Sequence, residues 1–135
     1  MQIPLFKPQT EWLPPENFPD LSKYDEIAID LETKDPDLMK MGSGSVVGKG
    51  DVVGIAVAVA GWSGYYPIAH EGGGNMSRAK VLKWFQGVLD TPADKIFHNA
   101  MYDVCWIRAL SLNINGRIID TMIASALVDE NQMRY

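Results

Sequence analysis

The segment Glu26–Thr33 constrains the fold of this chain more than any other. Its apolar side chains are Ile27, Ile29 and Leu31, and they alternate with Ala28, Asp30 and Glu32. This alternation predicts a β-strand with one buried face. Because residues two apart on a strand are separated by roughly 6.6–6.8 Å, the two acids reach into one space and repel each other. A divalent cation would relieve that repulsion, and Mg²⁺ prefers such oxygen ligands. The alternative is a strand end whose acids face water.

The composition predicts one compact domain in the cytoplasm. The chain has 135 residues, is 47% hydrophobic and carries a formal net charge of −5. We expect no membrane partner, since no signal peptide opens the chain and no apolar run approaches the ~20 residues of a membrane span. The single cysteine, Cys105, cannot form an internal disulfide, and with only His70 and His98 a structural zinc site is not expected. The acidic charge argues against a protein that grips nucleic acid alone, so metal ions or a neighbouring domain would have to offset it.

The order of predicted elements indicates the fold class. Residues 1–23 hold five prolines and are predicted to form an extended leader to the domain of residues 24–135. Leader side chains expected to pack onto the domain are Phe6, Trp12, Leu13 and Phe18. The predicted elements are a strand over 25–32, a glycine-rich flap or hairpin turn over 34–51, strands over 52–60 and 65–69, a helix over 77–89, a strand over 95–98, a helix over 99–110, a strand over 117–119 and a helix over 120–128. A three-strand meander followed by α/β crossovers predicts an α/β fold with a mixed sheet, similar in order to the ribonuclease H-like fold. Pro67 predicts that the third strand lies at the sheet edge.

A third acid is predicted to join the first two. Asn99 and Asp103 are four residues apart on a predicted helix, so they share one face, and Asp103 lies beside the apolar stripe rather than opposite it. If the preceding strand lies parallel to the first strand, that helix begins at the sheet edge where Asp30 and Glu32 emerge. Three carboxylates would then converge on one site, which suits two Mg²⁺ or Mn²⁺ ions about 3.5–4 Å apart.

Two motifs resemble those of a known nuclease family. Asp30-Leu31-Glu32-Thr33 and His98-Asn99-Ala100-Met101-Tyr102-Asp103 resemble the first two motifs of the DEDD 3′–5′ exonucleases. The runs Tyr66-Pro67-Ile68-Ala69-His70 and Asp120-Thr121-Met122 are also similar to the proofreading domain of family A DNA polymerases, the phage type especially. The resemblance, over about residues 24–130, implies a metal-dependent exonuclease that removes nucleotides from DNA 3′ ends during replication. It also implies two Mg²⁺ or Mn²⁺ ions, a single-stranded DNA 3′ end as substrate, a polymerase domain in the same or a companion chain, and the host cytoplasm if a phage encodes the chain.

The resemblance implies a role for each motif residue. The implied catalytic metal ligands are Asp30, Glu32 and Asp103, and the implied substrate-binding residues are Thr33, Asn99 and Tyr102. Asp30 would bridge both ions, Glu32 would bind the ion that activates water, and Asp103 would bind the second ion. Thr33 would hold the 3′-terminal nucleotide. The family's third motif, a Tyr or His four residues before an Asp, does not occur in these 135 residues. Since that motif supplies a ligand and positions the water, we expect this chain alone to be weakly active or inactive.

Several alternatives stay open. One is a catalytically incomplete module that binds single-stranded nucleic acid or a partner protein, and another is a nuclease that acts on RNA. Asn99 is either a helix cap or a substrate contact, and Tyr102 either packs or contacts the strand. Leu38 is more typical of a core residue than of a wedge against the terminal base. Both histidines are expected to be structural, and the cysteine to be a small core residue.

Overall fold

Residues 14–129, the part of the chain that the computed structural model describes, follow the predicted order of strands and helices. The strands are β1 (Glu26–Lys34), β2 (Asp51–Val59), β3 (Trp62–Pro67), β4 (Asp94–Phe97) and β5 (Ile118–Asp120). The helices are α1 (Leu38–Met41), α2 (Gly44–Val47), α3 (Arg78–Asp90), α4 (Ala100–Ala109) and α5 (Thr121–Val128). The single-turn helices α1 and α2 lie in the loop between β1 and β2, where a flap or a hairpin turn was predicted.

The five strands form one mixed sheet in the order β3-β2-β1-β4-β5. β1, β2 and β3 pair antiparallel as the predicted meander, whereas β4 pairs parallel with both β1 and β5. The parallel neighbours are reached through the crossover helices α3 and α4, because a tight hairpin cannot join parallel strands. The predicted ribonuclease H-like α/β fold is confirmed. β3 lies at the sheet edge, as its proline predicted.

The β2–β3 hairpin is tighter than the sequence indicated. Val59 pairs with Trp62 across a two-residue turn, and Gly61 in that turn has φ +81°. The prediction that the third strand spans 65–69 is therefore wrong. One glycine in the left-handed region is enough to reverse the chain, so β3 begins at Trp62 and ends at Pro67.

The hydrophobic core lies on one face of the sheet. Its buried side chains include Ile27, Ile29 and Leu31 of β1, Val81, Phe85, Val88 and Leu89 of α3, and Trp106 and Ile107 of α4. Ser77 caps α3 by accepting the Lys80 N–H at 3.4 Å, and Met76 before it packs against the core, so the predicted start of this helix is confirmed. Alternation along β1 thus orients one row of side chains into the core and leaves the acids on the other face.

Lys95 of β4 is a buried cation within this core. Its ammonium group donates to the carbonyl oxygens of Thr91, Ala93 at 2.8 Å and Asn115 at 2.7 Å. Burial lowers the pKa of Lys95, while the charges of two neighbouring acids oppose that shift. The three carbonyl groups come from the loops that enter β4 and β5, so this lysine holds the two loops together.

The opposite face of the sheet is open. Short side chains of β1 and β2, those of Ala28, Ala56 and Ala58, line a cleft of about 700 Å³ that Asp30 also lines. α5 buries none of its side chains, and its Leu127 is 83% exposed. Within residues 14–129, no helix has the length and apolar character needed to cross a bilayer.

Within the described part of the predicted leader, Phe18 packs onto the domain as expected. Residues 14–23 contain no helix or strand, and the Phe18 ring stacks on Tyr66 at 5.5 Å between centroids. The Trp84 indole N–H donates to the Pro19 carbonyl oxygen at 2.8 Å. The other three leader residues that were predicted to pack, Phe6, Trp12 and Leu13, lie outside the described residues.

One prediction about the β1–β2 loop is wrong. Leu38 is 39% exposed, and α1 contributes no buried residue. The loop folds into two single helical turns that stand away from the core, so a leucine in it does not reach the interior.

Candidate metal and substrate site

The predicted site lies where β1 extends past the end of β4. β4 pairs with β1 only as far as Ala28 and Ile96, and the chain then turns into α4. α4 therefore begins beside the stretch of β1 that carries Asp30 and Glu32, as the parallel arrangement predicted. Both of these acids are exposed on the open face of the sheet.

Asp103 on α4 interacts with both acids of β1. Its side chain is only 4% exposed, a backbone hydrogen bond from Leu31 holds it against the strand, and its Oδ2 atom has no hydrogen-bond partner. Burial, followed by the charge of Asp30, raises the pKa of Asp103 to about 7, and Asp120 and Glu32 act in the same direction. A carboxyl group in such surroundings favours a proton or a cation beside it.

The three acids offer the ligand type that a divalent cation prefers. All are carboxylates, and the buried one has an oxygen without a partner. In the conformation described for residues 14–129, no three His, Cys, Asp or Glu side chains are arranged to hold a metal ion together. The two acids of β1 are exposed, and exposed side chains change rotamer within nanoseconds. The assignment of Asp30, Glu32 and Asp103 as metal ligands therefore stays a prediction.

Thr33 and Tyr102, two of the predicted substrate contacts, are hydrogen-bonded to each other. A β-bulge between Glu32 and Thr33 shifts the strand register at the end of the motif. Thr33 Oγ1 lies 2.9 Å from the Tyr102 hydroxyl, which donates to Asp35 Oδ2 at 2.9 Å. Asp35 also accepts the backbone N–H of Gly44, at 3.0 Å to Oδ1 and 3.1 Å to Oδ2. Asp35 thus connects the β1–β2 loop to α4, a role that the sequence analysis missed.

Asn99 is a helix cap in position only. It precedes α4 with φ 66° and ψ 62°, and its side chain makes no capping hydrogen bond. Asp120 satisfies the helix instead, because its carboxylate accepts the N–H groups of Asn99 at 3.0 Å and Ala100 at 2.9 Å. The substrate contact of Asn99 stays a prediction.

Asp120 is shared between two helices. Besides α4 it caps α5 by accepting the Met122 N–H at 2.9 Å, and only this second role was predicted. Burial acts to raise the pKa of Asp120, but the backbone donors outweigh burial and hold that pKa below its usual value. The protein itself therefore satisfies the charge of Asp120.

Tyr65 lies beside Glu32 and was not found from the sequence. Gly54 of β2 pairs with Glu32, and a Cβ atom built on Gly54 would lie 1.9 Å from the Tyr65 hydroxyl, so the tyrosine ring covers that glycine. Burial and, after it, the charge of Glu32 raise the pKa of Tyr65. The signal that could have found this contact is the glycine itself, because glycine inside a strand often marks a close approach.

The remaining predicted residues have contacts within the fold. Tyr102 is half-buried, and its ring meets Trp106 edge-on with 6.5 Å between centroids. The Tyr65 hydroxyl pairs with His70 Nε2 at 2.5 Å, and His98 Nδ1 lies 3.0 Å from the Thr121 hydroxyl. Both histidines therefore bond within the protein, as expected of structural residues. Cys105 is half-buried.

Comparison with known proteins gives relatives among phage polymerases. No family model matches the chain. It is 36% identical over 110 residues to a "DNA-directed DNA polymerase" of Pseudomonas phage M6, an alignment that covers 77% of this chain and 17% of the relative. It is 28% identical over 120 residues to the "DNA polymerase DpoZ" of Salmonella phage PMBT28, which covers 87% of this chain and 17% of the relative. The alignments thus span 17% of the length of each of these polymerases.

Two solved structures share the fold. Brucella melitensis NrnC superimposes with a TM-score of 0.55 at 20% identity, over 85% of this chain and 50% of that chain. The structure of "Brucella melitensis NrnC with bound Mg2+" gives a TM-score of 0.53 at 20% identity, with the same coverage. At this identity the likeness establishes the ribonuclease H-like fold alone.

Proposed function

We propose that this chain, an exonuclease-like domain related in sequence to phage DNA polymerases, removes nucleotides from the 3′ ends of DNA with the help of divalent metal ions. The proposed substrate is a single-stranded 3′ end. The activity would serve proofreading during replication, with a polymerase domain in the same or a companion chain supplying the ends. Support for the polymerase partner comes from the names of the two phage relatives.

The environment of Asp103 carries this proposal. A buried carboxyl oxygen without a partner, beside two further acids, costs stability in the absence of a compensating charge. Acids with such perturbed pKa values cluster at functional sites. A cation at this position would satisfy the orphan oxygen and relieve the repulsion from Asp30 and Glu32. The Mg²⁺-bound structure among the fold neighbours supports the choice of ion.

Each motif residue has a place in the proposed reaction. Asp30, Glu32 and Asp103 would hold two Mg²⁺ or Mn²⁺ ions, which in such sites activate a water and stabilise the leaving oxygen. Thr33 and Tyr102, which are hydrogen-bonded to each other, would orient the terminal nucleotide. Asn99 would contact the strand from the start of α4. The acids themselves repel the phosphate backbone, so binding of the DNA end depends on the ions.

The test compares two proteins on an end-labelled single-stranded DNA ladder. The first is this 135-residue chain, and the second is a longer protein that continues into a Tyr or His four residues before an Asp. Loss of positioning and electrostatic groups costs about 10²-fold or more each, so we expect the chain alone to cut at least about 10²-fold more slowly. The longer protein should shorten DNA from the 3′ end in Mg²⁺ or Mn²⁺. Its Asp30→Ala/Glu32→Ala variant is the control and should be inactive.

The outcomes separate the competing functions. Shortening from the 5′ end would overturn the proposed polarity, and faster cutting of an RNA ladder would favour an RNA nuclease. If the longer protein binds single-stranded DNA but never cuts it, the catalytically incomplete binding module is the better description.

A further inference from the structure

The hydrogen bonds around Tyr102 can run in one direction only. A tyrosine hydroxyl has one proton, and a carboxylate can only accept. The proton of Tyr102 therefore goes to Asp35 Oδ2, at 2.9 Å. The phenolic oxygen is then the acceptor in its 2.9 Å contact with Thr33 Oγ1, so Thr33 must be the donor. Because threonine also has a single hydroxyl proton, what Thr33 has left for a ligand is a lone pair.

Asp35 is held in a fixed position, and this fixes the direction of the hydrogen bonds of Tyr102 and Thr33. Both of its carboxylate oxygens accept the Gly44 N–H at the start of α2, and α2 packs against α4. A Cβ atom on Gly44 would lie 1.9 Å from the Lys49 carbonyl oxygen and 2.8 Å from Asp35 Oδ1, so the loop closes tightly around the carboxylate. The position of Asp35 is therefore fixed by the loop, and the direction of the Tyr102 proton is fixed by Asp35.

We propose that Asp35 is a positioning residue that makes Thr33 a hydrogen-bond acceptor toward the end of the substrate. The matching ligand group is a hydroxyl of the terminal sugar, which donates its proton to Thr33 Oγ1. This proposal rests on the proposed function only in taking the ligand to be a nucleic-acid end. The 3′-hydroxyl of a deoxynucleotide and the 2′-hydroxyl of a ribonucleotide share this chemistry, whereas a 3′-O-methyl end can accept but cannot donate.

The test measures binding without cleavage. Fluorescein-labelled single strands with a phosphorothioate at the last linkage are titrated with the 135-residue chain in Mn²⁺ and followed by anisotropy. The ends are 3′-hydroxyl, 3′-O-methyl, 2′,3′-dideoxy, and 3′-deoxy with a 2′-hydroxyl. One hydrogen bond is worth about 2- to 10-fold in affinity, so we expect at least one hydroxyl end to bind about 5-fold or more tighter than the dideoxy and 3′-O-methyl ends. The hydroxyl that gives the gain identifies the sugar position. Equal affinity for all four ends would overturn the proposal.

Asp35→Asn should reverse the hydrogen bonds without changing the shape of the side chain. The Asn carbonyl oxygen would accept the Gly44 N–H, its amide would donate to Tyr102, and Tyr102 would then donate to Thr33. Thr33 would present a donor, so the 3′-O-methyl end should gain about 5-fold relative to the hydroxyl end. Asp37→Asn removes a neighbouring acid of the same loop, whose contact is an exposed 3.4 Å ion pair with Lys49, and should leave the preference unchanged. An unchanged preference in a folded Asp35→Asn protein would overturn the proposal.

Thr33→Val keeps the test decisive if Asp35→Asn does not fold. Valine has the shape of threonine but no hydroxyl, so the favoured hydroxyl end should lose about 5-fold while the dideoxy end binds as before. Full binding of the hydroxyl end by Thr33→Val would exclude Thr33 as the acceptor. Since no bond is cut in these titrations, end preference without hydrolysis in the longer protein would contradict only the proposed catalysis. Hydrolysis without end preference would contradict only this inference.

Discussion

Among the individual side chains, Asp103 should make the stability of the metal-free chain depend on pH. Its pKa of about 7 in the folded protein is well above the value near 3.9 of an exposed aspartate. Below about pH 4 both states bind the proton, so the residue costs nothing. As the pH rises to 7 the unfolded state loses the proton first, and the free energy of unfolding falls. Above about pH 7 Asp103 is ionised in both states, so its destabilising effect reaches its full value and no longer changes with pH.

Asp103→Asn should therefore stabilise the metal-free protein at pH 8 and not at pH 4. From the shift in pKa, the gain at pH 8 is on the order of 4 kcal/mol. Urea denaturation in the presence of a chelator at pH 4, 6 and 8 measures it. Asp25→Asn, a change at an exposed acid just before β1, is the control and should give no such pH dependence. An equal increase in the free energy of unfolding at pH 4 would show that the effect does not come from burying the charged form of Asp103.

Asp120 should matter more to stability than an ordinary helix cap. Asp120→Ala leaves three backbone N–H groups of two helices without their acceptor, those of Asn99, Ala100 and Met122. Loss of one cap costs about 1 kcal/mol, so we expect about 2 kcal/mol here in urea denaturation. Ser77→Ala removes the cap of α3, a single bond of 3.4 Å, and should cost about half as much. Equal costs for the two variants would contradict the shared cap.

The site was partly predictable from spacing. Asp30 and Glu32 were found because residues two apart on a strand share one face. Asp103 was found because it lies four residues after Asn99 on a helix and therefore shares a face with it. Asp35 was missed because its bonds to Tyr102 and Gly44 span 67 and 9 residues and depend on side-chain geometry. The shared role of Asp120 was missed for the same reason, since its partners at the start of α4 lie about 20 residues earlier.

Among the strands and helices, the element order and the edge strand were predicted correctly. The strands of the meander are periodic, and α3 has a local cap at Ser77, so local signals sufficed for these elements. The β1–β2 loop was not predicted, because its two helical turns depend on contacts of Asp35 and α4 rather than on a periodic pattern. α4 was predicted with an apolar face, but its buried side chains also include Asp103 and Trp106.

Gly44→Ala should detach the β1–β2 loop from α4. The added Cβ atom would lie 1.9 Å from a backbone oxygen, which forces the loop to shift and breaks the bonds of Gly44 to Asp35. We expect a loss of roughly 1–3 kcal/mol in urea denaturation and faster amide hydrogen exchange over residues 35–50. Gly87→Ala is the matched control, because nothing lies within 4 Å of its Cβ position on α3. That change should stabilise by about 0.5–1 kcal/mol. Slow exchange retained in Gly44→Ala would mean that the loop does not depend on this contact.

For the domain as a whole, a divalent cation should raise the thermal stability. An ion that binds only the folded state adds about 1.4 kcal/mol at ten times its Kd, which corresponds to roughly 5 °C in Tm for a chain of this size. Differential scanning calorimetry with and without Mn²⁺ measures the shift. Asp30→Ala should abolish it, while Asp37→Ala, a change in the neighbouring loop, should keep it. A Tm that ignores Mn²⁺ in the parent chain would count against the metal site.

Because three carbonyl groups surround the buried Lys95 ammonium, chemical modification of this amine reports on the unfolding of β4. Amine-reactive acylating reagents attack an uncharged, accessible amine, and Lys95 is fully buried in the folded protein. It can be modified only while β4 is exposed, whereas Lys83 on the surface of α3 is open to the reagent at all times. An acylated Lys95 has lost its charge and keeps only one N–H donor for the three carbonyl oxygens. A chain acylated at Lys95 cannot restore all three hydrogen bonds, so the acylated fraction grows with the total time that β4 has spent exposed to the reagent.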